Sequence, residues 1–341
     1  MKVSKVDPAV FIWVDGNGNV SGILACLVDD FLWSGFTEFE KIVINKIRST
    51  FCIGKEDVHE KGSFPYVGIE HSQSKNQLNL RQKMYQDNLQ PIHIEKSRLI
   101  DRQSPITAKE KESLQSKIGQ ILWIARQSRS DTIFDASNLA SSLKCAKVQT
   151  LIEANKIIKN LKSEIVTIKF QKLGNDSNIK VLIFSDSSLR NLPDGGTQGG
   201  HFIVLIGKNG RISPITWQSK RIRRVVRSTL AMADTIYNGV FLTTLFSELM
   251  TGDTNPENIV CLTDCHSLFD ALKSTKEVSE KRLRLEISNI RELIQLGQIE
   301  SVKWIDTTCQ LADCLTKKGA SCIHLLRVLQ EGIWVADCLN Q

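Results

Sequence analysis

The order of strand and helix patterns beyond residue 178 is the feature that most restricts how this chain can fold. Three strand patterns come first, followed by a long helix, a strand, two helices, a strand and a last helix. In that order they are strands 179–186, 200–207 and 211–217, helix 229–250, strand 258–264, helices 268–272 and 279–295, strand 299–305 and a helix beginning near Cys309. This order predicts a mixed α/β sheet with helices packed on it.

Three aspartates stand at the ends of these predicted elements. Asp186 closes the first strand, Asp264 closes the fourth strand, and Asp313 lies just inside the last predicted helix. If the first and fourth strands are adjacent and parallel, Asp186 and Asp264 meet at one edge of the sheet. Clustered carboxylates suit Mg²⁺, and two such ions can activate water for phosphodiester cleavage. A single Asp is more simply a turn or cap residue, so the prediction rests on the joint placement of the three.

The first half of the chain shows a different pattern. Strands at 10–14 and 21–28 are followed by a turn on Asp29 and Asp30, and a helix is expected at 38–51. Short strands are expected around 65–70 and 77–80. From 107 to 164 the pattern is helical, beginning with a capping box in which Thr107 precedes Glu110 by three residues. The polar segment 173–178 predicts a linker.

The formal charge of +7 is mild, but the cations are not evenly spread. Between the third strand and the long helix, eight positions hold Lys220, Arg221, Arg223, Arg224 and Arg227. This cluster is either a contact surface for nucleic-acid phosphates or a solvated loop. No apolar run approaches the roughly 20 residues that span a bilayer. The first residues lack a secretory signal, so we expect a cytoplasmic or nuclear protein, not a secreted one.

These motifs resemble the polymerase polyprotein of copia-type LTR retrotransposons, in collinear order over nearly the whole chain. The matching segments are 27–30, 64–69, 118–123, 184–186, 217–221, 225–229, 263–264 and 310–317. Residues 310–317, Gln-Leu-Ala-Asp-Cys-Leu-Thr-Lys, are the most specific of them. The resemblance implies three parts: a partial reverse transcriptase palm and thumb (1–104), a helical connection (105–176) and a ribonuclease H-like domain (177–341).

The resemblance also implies activity and partners. Asp186, Asp264 and Asp313 would hold Mg²⁺ or Mn²⁺ and act on the RNA of an RNA–DNA hybrid. Asp29 and Asp30 correspond to paired polymerase aspartates. The segment before them is too short for the earlier palm strand and the fingers of a polymerase. We therefore expect no polymerase activity from this chain alone, and an upstream polymerase half is a possible partner.

One departure from the family pattern affects catalysis. Relatives carry a Glu early in the long helix, where this chain reads Ser228-Thr229-Leu230-Ala231-Met232-Ala233-Asp234. Either a few residues including the Glu are missing after Ala231, or Asp234 replaces the Glu one position late. Three hypotheses remain open: a metal-dependent endoribonuclease, a catalytically inactive module that binds nucleic acid, and a fragment of a decayed element.

Overall fold

A computed structural model describes most of the 341 residues. The described residues are 1–58, 62–74, 76–174, 179–189, 192, 195–222, 228–254, 259–274 and 281–335, with backbone alone at 208, 228–231, 233–234 and 281–283. The strands are β1 Lys2–Val3, β2 Val10–Val14, β3 Val20–Leu27, β4 Asp30–Gly35, β5 Phe64–Tyr66, β6 Ile69–Ser74, β7 Gln77–Arg81, β8 Ile168–Gln171, β9 Lys180–Ser188, β10 Thr197–Ile206, β11 Ile212–Ile222, β12 Ile259–Thr263 and β13 Ser301–Trp304. The α-helices are α1 Thr37–Phe39, α2 Asn45–Thr50, α3 Lys83–Asn88, α4 Ala108–Gln127, α5 Ile133–Ser142, α6 Val148–Ser163, α7 Ser228–Thr251, α8 His266–Lys273, α9 Lys281–Gln295 and α10 Ile323–Glu331, and a π-helical segment, Glu40–Ile44, joins α1 to α2.

The first sheet is an antiparallel meander of β1 to β4, and one of its faces is built around a single ring. Gly22 and Gly35 are paired across β3 and β4, and the ring of Phe39 lies directly on them. A Cβ at Gly22 would be only 2.2 Å from that ring. Trp13 and Trp33 flank Phe39, with ring centroids 6.0 and 6.1 Å from it. The two glycines therefore let the following helix pack closely on the sheet.

The second sheet joins segments that are far apart in sequence. Its order is β5-β6-β7-β8, and β8 pairs antiparallel with β7 although the helices α3 to α6 lie between them in the chain. The predicted capping box of α4 is confirmed: Thr107 accepts from the amide of Glu110, whose carboxylate accepts from the amide of Thr107. The pairing of β7 with β8 crosses the predicted boundary after residue 104, which stays a prediction.

The third sheet has the order β11-β10-β9-β12-β13 and carries helices on both faces. Strands β9, β10 and β11 are antiparallel neighbours, whereas β12 is parallel to both β9 and β13. Even-numbered side chains of β9, such as Phe184, pack with α4, α6 and α10. Odd-numbered ones, such as Ile183, pack with α7, α8 and α9. The predicted mixed α/β class, with helices on both faces of the sheet, is confirmed.

Two contacts tie distant parts of the chain to this third sheet. The indole nitrogen of Trp217 on β11 donates to the carbonyl of Ala125 on α4, at 2.7 Å. The carboxylate of Glu248 on α7, which is only 4% exposed, accepts from the hydroxyl of Ser4 and from the amide of Lys5, the latter at 2.7 Å. We call this second contact the Glu248 clasp. One hydrophobic core also runs from the helices α4–α6 into the sheet without a break.

The prediction of a helix beginning near Cys309 is wrong. Residues 307–309 and 313–315 form two short 3₁₀ turns, and α10 begins only at Ile323. Asp306 accepts from the amide and hydroxyl of Thr308, and the side chain of Gln310 donates to the carbonyl of Ser185. These side-chain contacts fix local turns against the sheet instead of a continuous helix. Among the described helices, none has an apolar stretch long enough to span a membrane.

Candidate metal centre

The register of two parallel strands places the first two aspartates side by side. Phe184 of β9 is paired with Leu262 of β12, and Asp186 and Asp264 each follow two residues later. Side chains two residues apart on a strand point to the same face. Both carboxylates therefore leave the sheet on the face that Phe184 and Leu262 share with α4–α6, at the end of these strands.

The third aspartate reaches the same place through a turn. Asp313 begins the 3₁₀ turn Asp313–Leu315, which lies over β9 and β10. Gly200 of β10, paired with Asp186, makes this approach possible. A Cβ at Gly200 would lie 2.8 Å from the Cγ2 of Thr316 and 2.9 Å from the Cβ of Leu315. Because Gly200 has no side chain, the turn can pack directly on the sheet.

The structure brings the three predicted aspartates into one cluster. One carboxylate oxygen from each of Asp186, Asp264 and Asp313 lies within 4.8 Å of the others. All three residues are partly buried. Carboxylate oxygens at this spacing are donors of the kind that a hard divalent cation prefers. We refer to these three residues as the carboxylate cluster.

Burial changes the protonation of the innermost member of the cluster. Loss of solvent raises the pKa of Asp186 to about 6. The hydroxyl of Thr316, which donates to its Oδ2, and the charge of Lys317 act in the opposite direction, while Asp264 and Asp313 raise the pKa further. Crowding of like charges with little solvent favours the protonated form of one carboxyl. Bringing a cation to this cluster relieves that repulsion.

A lysine is part of the same arrangement. The ammonium of Lys317 pairs with Oδ1 of Asp313, four residues earlier in the chain. Burial lowers the pKa of Lys317, but its hydrogen bond to Asp313 and the charges of all three aspartates outweigh that effect and raise it. Lys317 therefore stays positively charged beside the cluster.

An aromatic pair lies next to Asp264. The imidazole of His266, the first residue of α8, stacks on the indole of Trp304 with ring centroids 4.2 Å apart. The indole nitrogen of Trp304 donates to the backbone carbonyl of Asp264 at 3.2 Å. This hydrogen bond joins the end of β13 to the end of β12 and helps fix the position of Asp264.

The other residues singled out in the sequence do not join the cluster. Asp29 and Asp30 are exposed at the β3–β4 hairpin, whose turn residue Val28 has φ 55°. Within the described part of the chain they belong to no group of three His, Cys, Asp or Glu side chains that could share an ion. Asp234 is on α7, but its side chain lies outside the described residues.

Only part of the predicted basic cluster is described. Lys220 and Arg221 lie near the end of β11, next to Ser219. Ser219 pairs with Gly200 of β10, which in turn pairs with Asp186 of β9. Lys220 is exposed, and the guanidinium of Arg221 fills the space that a side chain at Gly196 would take. Arg223, Arg224 and Arg227 lie outside the described residues. Both described cations thus lie at the end of the sheet that carries Asp186. The register places Arg221 on the same face as Asp186 and Lys220 on the opposite face.

The sequence did not reveal every residue that shapes the site. The contacts of Gly200 and Thr316 follow no spacing rule, although Thr316, like Lys317, belongs to the most specific motif. A signal was available only for Lys317, because a Lys four residues after an Asp is a common ion-pair spacing. Gly200 gave none, because its role depends on a turn from a distant part of the chain.

Comparisons with known proteins give likenesses to solved structures alone. No protein-family model matches the sequence, and no curated protein matches it. The ribonuclease H1 of the archaeon Halobacterium salinarum matches with 19% identity and a TM-score of 0.30, over 40% of this chain and 94% of that chain. The LC11 ribonuclease H1 in complex with an RNA/DNA hybrid matches with 14% identity and a TM-score of 0.31, over 40% and 93%.

A longer match is to a viral enzyme. The foamy virus protease-reverse transcriptase in complex with an RNA/DNA hybrid is 14% identical, with a TM-score of 0.43, over 87% of this chain and 37% of that chain. None of the three structures is described as coming from a copia-type element.

Proposed function

We propose that this chain is the reverse transcriptase/ribonuclease H part of a copia-type polyprotein, and that its activity is divalent-metal-dependent hydrolysis of RNA in RNA–DNA hybrids. The observation that carries the activity is the carboxylate cluster, in which three aspartates from β9, from the end of β12 and from a 3₁₀ turn converge within 4.8 Å. The copia-type assignment rests on the motif resemblance, above all on residues 310–317.

The donor set fits Mg²⁺ or Mn²⁺. It consists of carboxylate oxygens alone, which hard divalent cations prefer, and burial together with the neighbouring carboxylates raises the pKa of Asp186, which a bound cation would counteract. Asp186, Asp264 and Asp313 would hold the ion or ions. When bound, such ions activate water and stabilise the leaving oxygen in phosphodiester hydrolysis.

The remaining residues hold and orient these carboxylates. Thr316 donates a hydrogen bond to Asp186 and fixes the direction of its carboxylate. Trp304 holds the backbone at Asp264. Lys220 and Arg221, together with the other cations of the loop, would contact hybrid phosphates, which gives affinity that depends on salt and on helix shape, with little base recognition.

A cleavage assay with a matched variant tests this proposal. An RNA strand labelled at one end and annealed to DNA is incubated with the full chain in Mg²⁺ or Mn²⁺, beside the Asp264→Asn variant and an EDTA control. We expect cleavage of the RNA strand, and a loss of about two orders of magnitude or more in the variant. Equal cleavage by the wild type and by Asp264→Asn would contradict the proposal, as would cutting of duplex DNA at the same rate.

A second candidate is a module that binds hybrids without cutting them. It is favoured by the carboxylate cluster, which within the described residues has three acidic members, and by the Ser228–Asp234 sequence, where relatives carry a Glu. Salt-dependent binding of the hybrid with no cleavage in either metal would support it. Restoring the Glu together with the missing helix residues should then produce cleavage. If the restored and unrestored chains behave alike, the interpretation of a missing Glu is wrong.

A further inference from the structure

Lys317 occupies a position in the carboxylate cluster that the proposed chemistry does not use. Its ammonium pairs with Oδ1 of Asp313, and its side chain remains 41% exposed. The next residue, Lys318, is also a lysine, but it is exposed and makes no ion pair with Asp313 among those described. Two neighbouring lysines therefore differ in one respect that matters here, namely contact with the cluster.

The ammonium and a metal ion would compete for the same carboxylate. Asp313 offers a ligand oxygen within 4.8 Å of those from Asp186 and Asp264, while Lys317 neutralises part of the same negative charge. A lysine ammonium is a compact charge on a flexible stem. Since the stem is partly exposed, the ammonium can leave the carboxylate and turn into solvent without a change in the fold. A partly exposed ion pair is also weak enough to be opened by a divalent ion.

We propose that Lys317 is an internal cation that pairs with Asp313 while the cluster holds no metal, and that releases this carboxylate when a divalent ion binds. Lys317 is then a positioning residue that sets the affinity of the cluster for metal. It keeps Asp313 in place before the ion arrives, and it lowers affinity because its ammonium must be displaced. This inference rests on the proposed metal-dependent function.

Direct metal binding tests the inference without reference to cleavage. Binding of Mn²⁺ and of Mg²⁺ to the full chain is measured by titration calorimetry at pH 7.5 for the wild type and for Lys317→Met, Lys317→Arg, Lys318→Met and Asp264→Asn. We expect Lys317→Met to bind Mn²⁺ about fivefold more tightly than the wild type, because the competing ion pair is gone. Lys317→Arg and Lys318→Met should stay close to the wild type. Lys318→Met removes the same charge away from the cluster and so controls for net charge.

The outcomes separate this inference from the proposed function. If Lys317→Met binds Mn²⁺ as the wild type does, or more weakly, or if Lys318→Met tightens binding equally, the inference is wrong while the metal site stands. If neither the wild type nor Lys317→Met binds metal, the proposed metal site is wrong and the inference falls with it. Circular dichroism and thermal melting check the fold of each variant. If Lys317→Met does not fold, Lys317→Gln takes its place with the same expectation.

Discussion

Removing the charge of Asp186 should stabilise the metal-free protein. Burial raises the pKa of this carboxyl from 3.8 to about 6, so the ionised form is disfavoured in the folded state. At pH 7.5 this difference corresponds to a cost of about 3 kcal/mol. The Asp186→Asn variant keeps an oxygen that can accept from Thr316 but loses the attraction of Lys317. We therefore expect a gain of about 2 kcal/mol in the free energy of unfolding.

The gain should depend on pH with a defined sign. A carboxyl whose pKa is higher in the folded state than in the unfolded state does not reduce the free energy of unfolding below about pH 3.8, because it is protonated in both states there. The cost of ionised Asp186 grows between pH 3.8 and 6 and is complete above pH 6. At pH 4.5 it is about 1 kcal/mol, which is about 2 kcal/mol less than at pH 7.5, so the advantage of Asp186→Asn should largely disappear at this pH.

Urea unfolding in EDTA at pH 7.5 and at pH 4.5 measures both effects. Asp270→Asn is the matched control, because Asp270 is an exposed aspartate on α8, and it should change stability by less than about 0.5 kcal/mol. If Asp186→Asn is no more stable than the wild type at pH 7.5, the buried charge of Asp186 does not destabilise the fold. If the advantage of the variant is the same at both pH values, it does not come from ionisation of Asp186.

Three further outcomes are expected. Gly200→Ala should lower the free energy of urea unfolding by about 1–3 kcal/mol and greatly reduce Mn²⁺ binding, because its Cβ would meet the turn over the sheet. The control Gly119→Ala, which has open space on α4, should be neutral or slightly stabilising. Thr316→Val removes a hydrogen bond that lowers the pKa of Asp186, so the pH of half-maximal Mn²⁺ binding should rise. An unchanged pH profile would contradict the role of Thr316 in keeping Asp186 ionised. Lys220→Ala should weaken binding of the RNA–DNA hybrid in a fluorescence-anisotropy assay and reduce the slope of log affinity against log salt by about 1. An unchanged slope would mean that Lys220 contacts no phosphate.

The sequence predicted the part of the site that depends on strand order. Asp186 and Asp264 each follow an apolar run, and their proximity required only that these runs be adjacent and parallel, which β9 and β12 are. Burial on both faces of β9 likewise follows from residue type, because residues 181–184 form an uninterrupted apolar run. Local capping signals were also sufficient for the start of α4.

The path that brings Asp313 to the site could not be predicted in this way. The segment after Trp304 contains apolar residues at helical spacing, yet Gln310 and Asp306 hold it in short turns through contacts with the sheet and with the local backbone. Those contacts exist only once the sheet has formed. The same holds for Gly200, whose lack of a side chain matters only because a turn from more than a hundred residues later rests on it.

The Glu248 clasp has a practical consequence for dissecting this protein. An expression clone starting at residue 177, the predicted start of the ribonuclease H-like part, would remove Ser4 and Lys5 and leave the carboxylate of Glu248 without those two donors. It would also strip the helices α4–α6 from one side of the third sheet and expose the part of that apolar face that α10 and Trp334 do not cover. Truncation at this point should therefore lower stability and solubility even with the carboxylate cluster intact, and biochemical work is better begun on the full chain.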